Sequence, residues 1–307
     1  MRQRIKVIAN PFSGGGRAGR LARQVTEALR ERGCHVELEE TRQAGDGRRS
    51  AARVDGFSAI VCVGGDGTVN EVVNGLPGPD APPLGMVPSG TANVLAKELR
   101  LPRSVGELVR LLTDGREVRW DLGIDRVTGR KFLLFGTAGY DAHVVHLFHE
   151  ARRKPVRMWQ YALWNMWLYV LWGLKSIIGY RIPRITVDLD GRHVTSEAAW
   201  VQVSNVPTYG GPLVFTPRAR PDDGTFEVMV QHARRRRDIL RMFWAAILNY
   251  FFRMEYRMPD VTFHRARRVK LLPTDEHAVP VQVDGDPGGH LPAEFEIVPG
   301  GIRVLAP

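Results

Sequence analysis

The stretch Ala59-Ile60-Val61-Cys62-Val63-Gly64-Gly65-Asp66-Gly67-Thr68-Val69-Asn70-Glu71-Val72-Val73 decides how this chain folds. Its apolar run reads as a buried strand, a glycine turn follows, and apolar spacing of helical period begins at Val69. Strand, glycine loop and helix together form the repeating unit of a parallel α/β sheet. The unit recurs on both sides. Ile5–Ala9 runs into Asn10-Pro11-Phe12-Ser13-Gly14-Gly15-Gly16 and a helical pattern from Gly19 to Arg32; Leu84–Val87 runs into Pro88-Ser89-Gly90-Thr91 and a helix from Ala92 to Leu99. Val36–Leu38 supplies another strand.

In a parallel sheet such turns gather at the carboxyl edge of the strands, where ligands bind. Helix N-termini there offer N–H groups without intrahelical partners, and glycine lets backbone come close to a phosphate. Ser13, Thr68 and Thr91 add hydroxyls. One such loop is ordinary; three in one sheet predict a polyphosphate site. Gly14, Gly16 and Gly19 also match G-x-G-x-x-G, with Glu37, Glu39 or Glu40 at the spacing of a ribose-binding acid. That match is weak, because Asn10 to Ser13 separate the strand from the first glycine. No Gly-Lys-Ser/Thr of a Walker P-loop follows any of the loops.

From about Lys131 the pattern changes. Strand-like runs at Phe132–Phe135, Ile185–Leu189, Ala198–Val203, Thr225–Val230, Val269–Leu272, Val279–Val283 and Phe295–Val298 are punctuated by turn residues, as in an antiparallel sandwich. Helical stretches are expected at about Pro155–Ile178 and Asp238–Phe252. The reading is an N-terminal parallel α/β nucleotide-binding domain, residues 1–128, and a C-terminal antiparallel β-sandwich domain, residues 129–307, meeting near Arg126–Arg130.

The 307 residues carry a net charge of +10, largely from arginine, with 44% apolar and 25% charged residues. This is a globular composition, and the charge calls for an anionic partner: nucleotide, nucleic acid or acidic lipid. A nucleic-acid binder remains an option on charge alone, but no nucleic-acid module is recognisable and no nucleic-acid partner is expected. Cys34 and Cys62 form neither a disulfide framework nor a zinc site, and Met1–Lys6 leads directly into a strand, so a cytoplasmic protein is expected. Met158 to Leu174 holds Trp159, Trp164, Trp167 and Trp172 behind Arg152, Arg153, Lys154 and Arg157. It is short for a ~20-residue spanning helix. A buried helix and an interfacial one stand as equal readings.

Gly64 to Leu76 resembles the signature of the diacylglycerol kinase catalytic domain. Gly-Gly-Asp-Gly-Thr also occurs in NAD kinases, but Asn10-Pro11-Phe12-Ser13-Gly14 and Pro88-Ser89-Gly90-Thr91-Ala92-Asn93 resemble the lipid-kinase branch. The likeness continues through Asp121, Gly139-Tyr140-Asp141-Ala142, Asn205 with Gly210-Gly211, Asp222-Asp223-Gly224 and Val283-Asp284-Gly285-Asp286. It implies an ATP- and Mg2+-dependent kinase acting on a lipid alcohol such as diacylglycerol. Its nucleotide contacts would be Asn10, Pro11, Phe12, Ser13, Gly14, Thr41, Gly65, Asp66, Gly67, Thr68, Val69, Asn70, Glu71 and Thr91, with Asp66 as the link to catalytic magnesium. A structural magnesium would lie at Arg220, Asp223 and Thr225. Asp286 would be the catalytic base and Asp121 its acidic support. The family usually has glutamate where Asp286 stands, and aspartate is shorter by one C–C bond, about 1.5 Å. Peripheral docking on the inner face of an anionic membrane is expected through Arg152–Trp172 and Arg234–Phe252. The alternatives are a long-chain-base kinase, an NAD-kinase-like enzyme and a membrane-binding pseudokinase; a homo-oligomer is allowed.

Overall fold

In the computed structural model, which describes residues 3–152, 173, 175–210, 213–252 and 260–307, the chain divides into two compact units. The first comprises Met1–Leu122, Lys131–Leu133 and Val298–Pro307; the second comprises Gly123–Arg130 and Leu134–Ile297. The expected parallel α/β sheet followed by antiparallel β structure is what the chain forms.

In the first unit β1 (Arg4–Ala9), β2 (His35–Glu40), β3 (Ala59–Gly64) and β4 (Leu84–Pro88) run parallel in the order β2-β1-β3-β4. Beyond β4, Val304 of the last strand (Ala293–Ala306) pairs with Leu84. The helices are α1 (Arg17–Glu31), α2 (Asp46–Ala51), α3 (Asp66–Gly75), α4 (Val94–Glu98) and α5 (Val105–Asp114). Strand β3 is buried along its whole length. Val7, Val61 and Val87 pack with Ala18, Ala22, Val25 and Leu29 of α1 and Leu108 and Leu112 of α5. Helices over a parallel sheet leave its central strands no polar face, which is why β3 and β4 read as unbroken apolar runs, whereas β2 at the edge alternates with glutamates.

Two helices here have no counterpart among the sequence expectations. Helix α5 starts at Ser104, whose Oγ accepts the Glu107 N–H at 3.3 Å, an N-cap written in the local sequence. Helix α2 is only six residues long, and Glu71 of α3 holds its start by accepting the N–H groups of Gly45 at 3.1 Å and Gly47 at 3.2 Å. After β5 (Arg116–Asp125) and β6 (Lys131–Phe132), the expected Phe132–Phe135 strand appears as two pieces, the second being β7 (Phe135–Gly139).

The second unit contains an antiparallel sheet in the order Val261–Ala266, Phe226–Gln231, Trp200–Ser204, β7, Pro280–Val283, Asp286–His290. A further antiparallel set joins Arg192–Ala198, Ile185–Leu189, Arg268–Pro273 and residues 293–296. Helix α6 (Tyr140–Arg152) follows β7 directly. Its second residue, Asp141, is buried and accepts hydrogen bonds from Thr137 Oγ1 at 2.7 Å, Gln282 Nε2 at 3.0 Å and the Tyr209 hydroxyl. The Gly139-Tyr140-Asp141-Ala142 turn is thus a staple between helix and sheet. Helix Arg236–Phe252 buries Ile239, Met242 and Ala245 and exposes Arg237, Arg241 and Trp244 on the opposite face. The tryptophan-rich run, most of the expected Pro155–Ile178 helix and Gly211 lie outside the described residues.

Gly85, in the middle of β4, has no room for a side chain. A Cβ there would lie 2.3 Å from Leu112 Cδ2 and 3.3 Å from Leu305 Cδ1. Gly85→Ala is expected to cost about 1–3 kcal/mol through overpacking. Gly106→Ala, at an open position in α5, is expected to cost nothing. Urea denaturation of the two variants measures the contrast.

Candidate active site

The strand order decides the first feature of the site. Because β1, β3 and β4 are parallel neighbours, the loops that leave them emerge side by side, and they touch. The Asn10 amide donates to Thr68 Oγ1 at 3.4 Å, linking the first loop to the second. Ser89 Oγ donates to Ser13 Oγ at 3.2 Å, and Ser89 N–H to Gly64 O at 2.9 Å, linking the third loop to both. Gly14 has φ of +61°, and a Cβ on it would lie 2.1 Å from Ser89 O. Between the second and third loops a Cβ on Gly90 would lie 2.6 Å from Gly65 Cα. Backbone meets backbone here, and only glycine permits it.

The predicted nucleotide residues divide by what they touch. Asn10, Pro11, Phe12, Ser13, Gly14, Gly65, Asp66, Gly67, Thr68 and Thr91 lie on the three loops or the first turn of α3. Phe12, Gly67 and Thr91 are exposed, whereas Thr68 is buried. The start of α3 at Asp66 and Gly67 carries N–H groups with no intrahelical acceptor, which is the backbone chemistry for an anion. Thr41 is buried just past β2, its N–H donating to Ala9 O at 2.8 Å. Val69 and Asn70 point into packing instead. Val69 is buried, and the buried Asn70 amide donates to Lys131 O at 3.1 Å. Glu71 is the acceptor that holds α2.

Asp66 does two things at once. Its Oδ2 accepts the Val94 N–H at 3.1 Å and its Oδ1 the Leu95 N–H at 3.3 Å, so it caps α4 from another helix. Burial pushes its carboxyl above the usual range, and the two amides and the Lys97 ammonium pull it back. A half-buried carboxylate with lone pairs to spare beside three glycine loops fits a hard cation. Among the described residues no cluster of three or more His, Cys, Asp or Glu side chains could hold a metal.

The other acids lie apart from these loops in sequence. Asp121, in the first unit, is buried, and its Oδ1 accepts the Gly300 N–H at 2.7 Å. In the second unit, Asp284 (φ +50°) and Gly285 (φ +83°) make the turn between Pro280–Val283 and Asp286–His290. The Asp284 carboxylate is buried and accepts the N–H groups of Leu134 at 2.9 Å and Phe135 at 3.1 Å. Asp286 is the open one, about a third exposed at 36%. Arg130 Nη2 donates to its Oδ2 at 2.9 Å, Arg130 Nη1 to Pro287 O at 3.0 Å, and His149 Nε2 stands 3.5 Å from its Oδ1. The sequence reading did not single out Arg130, His149 or Lys97; the triplet His143, His146, His149 on one helix was a legible signal.

The Arg220–Thr225 loop has a different character. Asp223 Oδ1 accepts both the N–H (3.1 Å) and the hydroxyl (2.9 Å) of Thr225, and Oδ2 takes the Arg265 guanidinium at 2.5 Å. Arg220 pairs with Asp222 through Nε at 3.2 Å. With a guanidinium already on the carboxylate, these residues as arranged do not fit a bound cation.

Comparison with known proteins matches this geometry to a family. Residues 4–124, which carry all three loops, match the diacylglycerol kinase catalytic domain. Residues 136–306 match the YegS C-terminal NAD kinase beta sandwich-like domain. The chain belongs to the diacylglycerol kinase family. It is similar to the diacylglycerol kinase of Staphylococcus carnosus, at 26% identity over 100% of this chain and 96% of that one, and to that of Bacillus subtilis, at 27% over 99% and 97%. A crystal structure of a diacylglycerol kinase from Bacillus anthracis superimposes with a TM-score of 0.72 at 20% identity, covering 100% of this chain and 97% of that one, and shows the same fold. The chain is thus a lipid kinase of this family.

Gly90→Ala separates packing of the loops from stability of the fold. The added methyl must push the third loop off the second, so nucleotide affinity is expected to fall at least ~10-fold, the equivalent of about 1.4 kcal/mol. Far-UV circular dichroism should stay unchanged while titration with a fluorescent ATP analogue reports the loss.

Proposed function

We propose that this kinase transfers the γ-phosphoryl group of ATP to the hydroxyl of a lipid alcohol, with diacylglycerol as the first candidate and a long-chain base as the second. The observation that carries the reading is the contact among three glycine loops at one sheet edge, in a domain of the diacylglycerol kinase family. The triphosphate would be cradled by the N–H groups at the start of α3 and by the hydroxyls of Ser13, Thr68 and Thr91. A magnesium ion held by Asp66 would neutralise the β- and γ-phosphate oxygens. Phosphoryl transfer has little covalent work for a protein to do, so positioning and charge account for most of the acceleration.

Asp286 is the proposed base. Asp121 and Asp284 are buried with backbone N–H groups on their carboxylates, whereas Asp286 is open to a substrate hydroxyl. Its Oδ2 accepts from Arg130 Nη2 at 2.9 Å, which holds the carboxylate in place. The NAD-kinase-like alternative has the NAD-kinase-type name of the C-terminal domain behind it and nothing at the loops to prefer it.

Peripheral attachment to an anionic membrane is part of the same proposal. It rests on the helix Arg236–Phe252, where Trp244 is exposed beside Arg237 and Arg241. Arg237 and Arg241 meet Asp238 at 3.9 Å and Asp260 at 2.5 Å; each near-surface arginine that exchanged its acid for a lipid headgroup would add up to about 1 kcal/mol on an anionic bilayer. Among the described residues no helix is long and apolar enough to cross a membrane. Sedimentation with anionic vesicles should release the protein at high salt, because screening shortens to a few Å.

Labelled ATP with a panel of lipid alcohols in mixed micelles, read by mass of the product, tests the central reading. A phosphorylated diacylglycerol is the expected product; phosphorylation of NAD instead would overturn it. Asp286→Asn is expected to lower kcat by ~10²–10⁴ with nucleotide binding intact. Asp66→Asn, which keeps an acceptor for the α4 amides, is expected to abolish turnover without unfolding the protein. Steady-state kinetics beside thermal melts checks both.

A further inference from the structure

Helix α6 carries His143, His146 and His149 at intervals of three, a spacing that sets them on one broad face. That face meets the hairpin bearing Asp286. His146 Nε2 lies 2.9 Å from Val281 O, the His146 and His290 rings are 5.5 Å apart, and His149 Nε2 stands 3.5 Å from Asp286 Oδ1. His143 turns elsewhere, packing on Tyr180 with ring centroids 5.0 Å apart. On its other oxygen Asp286 is fixed by Arg130, which is itself fixed on Pro287 O. The carboxylate therefore has one oxygen locked in an ion pair and the other beside an imidazole that is a third exposed, at 33%.

A proton that the Asp286 carboxylate accepts must leave before the next turnover. Imidazole, with an ordinary pKa of ~6.5, is the side chain that accepts such a proton near neutral pH. We propose that His149 is the proton-accepting and positioning partner of Asp286. As the lipid oxygen bonds to the γ-phosphorus and the bond to ADP breaks, the hydroxyl proton passes to the Asp286 carboxylate. It then moves to Nε2 of neutral His149 and from there to water. Among the described residues, Asp286 faces His149 and carries Arg130 on its other oxygen, His146 and Glu150 stand on the same helix, and His290 packs on His146. The inference rests on Asp286 being the base.

The test measures kcat against pH from 5 to 9 for the wild type, His149→Gln and Asp286→Asn, with nucleotide binding recorded separately. His149→Gln should lower kcat on the order of 10²-fold, the lower end of what a positioned proton-transfer group supplies. It should also remove the acid limb, where protonated His149 can no longer accept, and leave the KM for ATP unchanged. Added imidazole should restore activity to His149→Ala. In the full-length protein, the NMR titration of the His149 ring should shift to lower pH in Asp286→Asn, because the neighbouring negative charge is gone. A His149→Gln profile that superimposes on the wild type, a slow His149→Ala that imidazole does not rescue, or a His149 titration indifferent to Asp286→Asn overturns the proposal while Asp286 stands. An Asp286→Asn enzyme as fast as the wild type overturns the base assignment as well.

Discussion

The approach of Gly65 to Gly90, too close for any Cβ between them, is the constraint on which the first unit depends. It requires β3 and β4 to be adjacent and parallel, so that their outgoing loops leave the same edge. It requires Gly64 O and Ser89 N–H to meet, which extends the ladder one step past the strands. It also sets α3 and α4 near enough for one carboxylate, that of Asp66, to cap the second from the first. Loops packed this tightly bring several N–H groups and hydroxyls to one place with little freedom left to lose. Pre-organisation of that kind is what an anion site needs, since the ordering cost is met in folding and not on binding.

In the second unit the acids near the Asp284-Gly285-Asp286 turn have separate tasks. Asp284 is in the left-handed region and faces inward, where its carboxylate satisfies two buried N–H groups at the start of β7. Two residues later the side chain of Asp286 lies outside that packing, in reach of Arg130 and His149. Environment, not residue type, separates a structural carboxylate from one able to do chemistry. The same division holds for Asp223, whose carboxylate is spent on Arg265 and Thr225.

The electrostatic excess of the chain is only partly spent on pairs. Arg23, Arg32, Arg49, Arg53, Arg126, Arg268 and Arg303 each meet an acid at 4 Å or less. Such surface pairs add little stability. Arg237 and Arg241 meet Asp238 and Asp260 in the same way, and with Trp244 they share the outward face of a single helix.

The sequence by itself determined the four parallel strands of the first unit, the helices that follow its three glycine loops, and the change to antiparallel structure near residue 130, but not α2 or α5. Each of these is written locally: β3 is apolar throughout because both its faces are covered, and a glycine after a strand has few other uses. What the tertiary structure alone decided is which polar residue points where. Val69, Asn70 and Glu71 sit in the same motif as Gly65 and Asp66, yet they turn into packing or toward α2, because a helix sends successive side chains about 100° apart. Arg130 and His149 lie 156 and 137 positions from Asp286 in sequence, and no local pattern ties them to it. Only the pairing of Pro280–Val283 with β7, and the packing of α6 against that hairpin, brings a guanidinium and an imidazole to the two oxygens of one carboxylate.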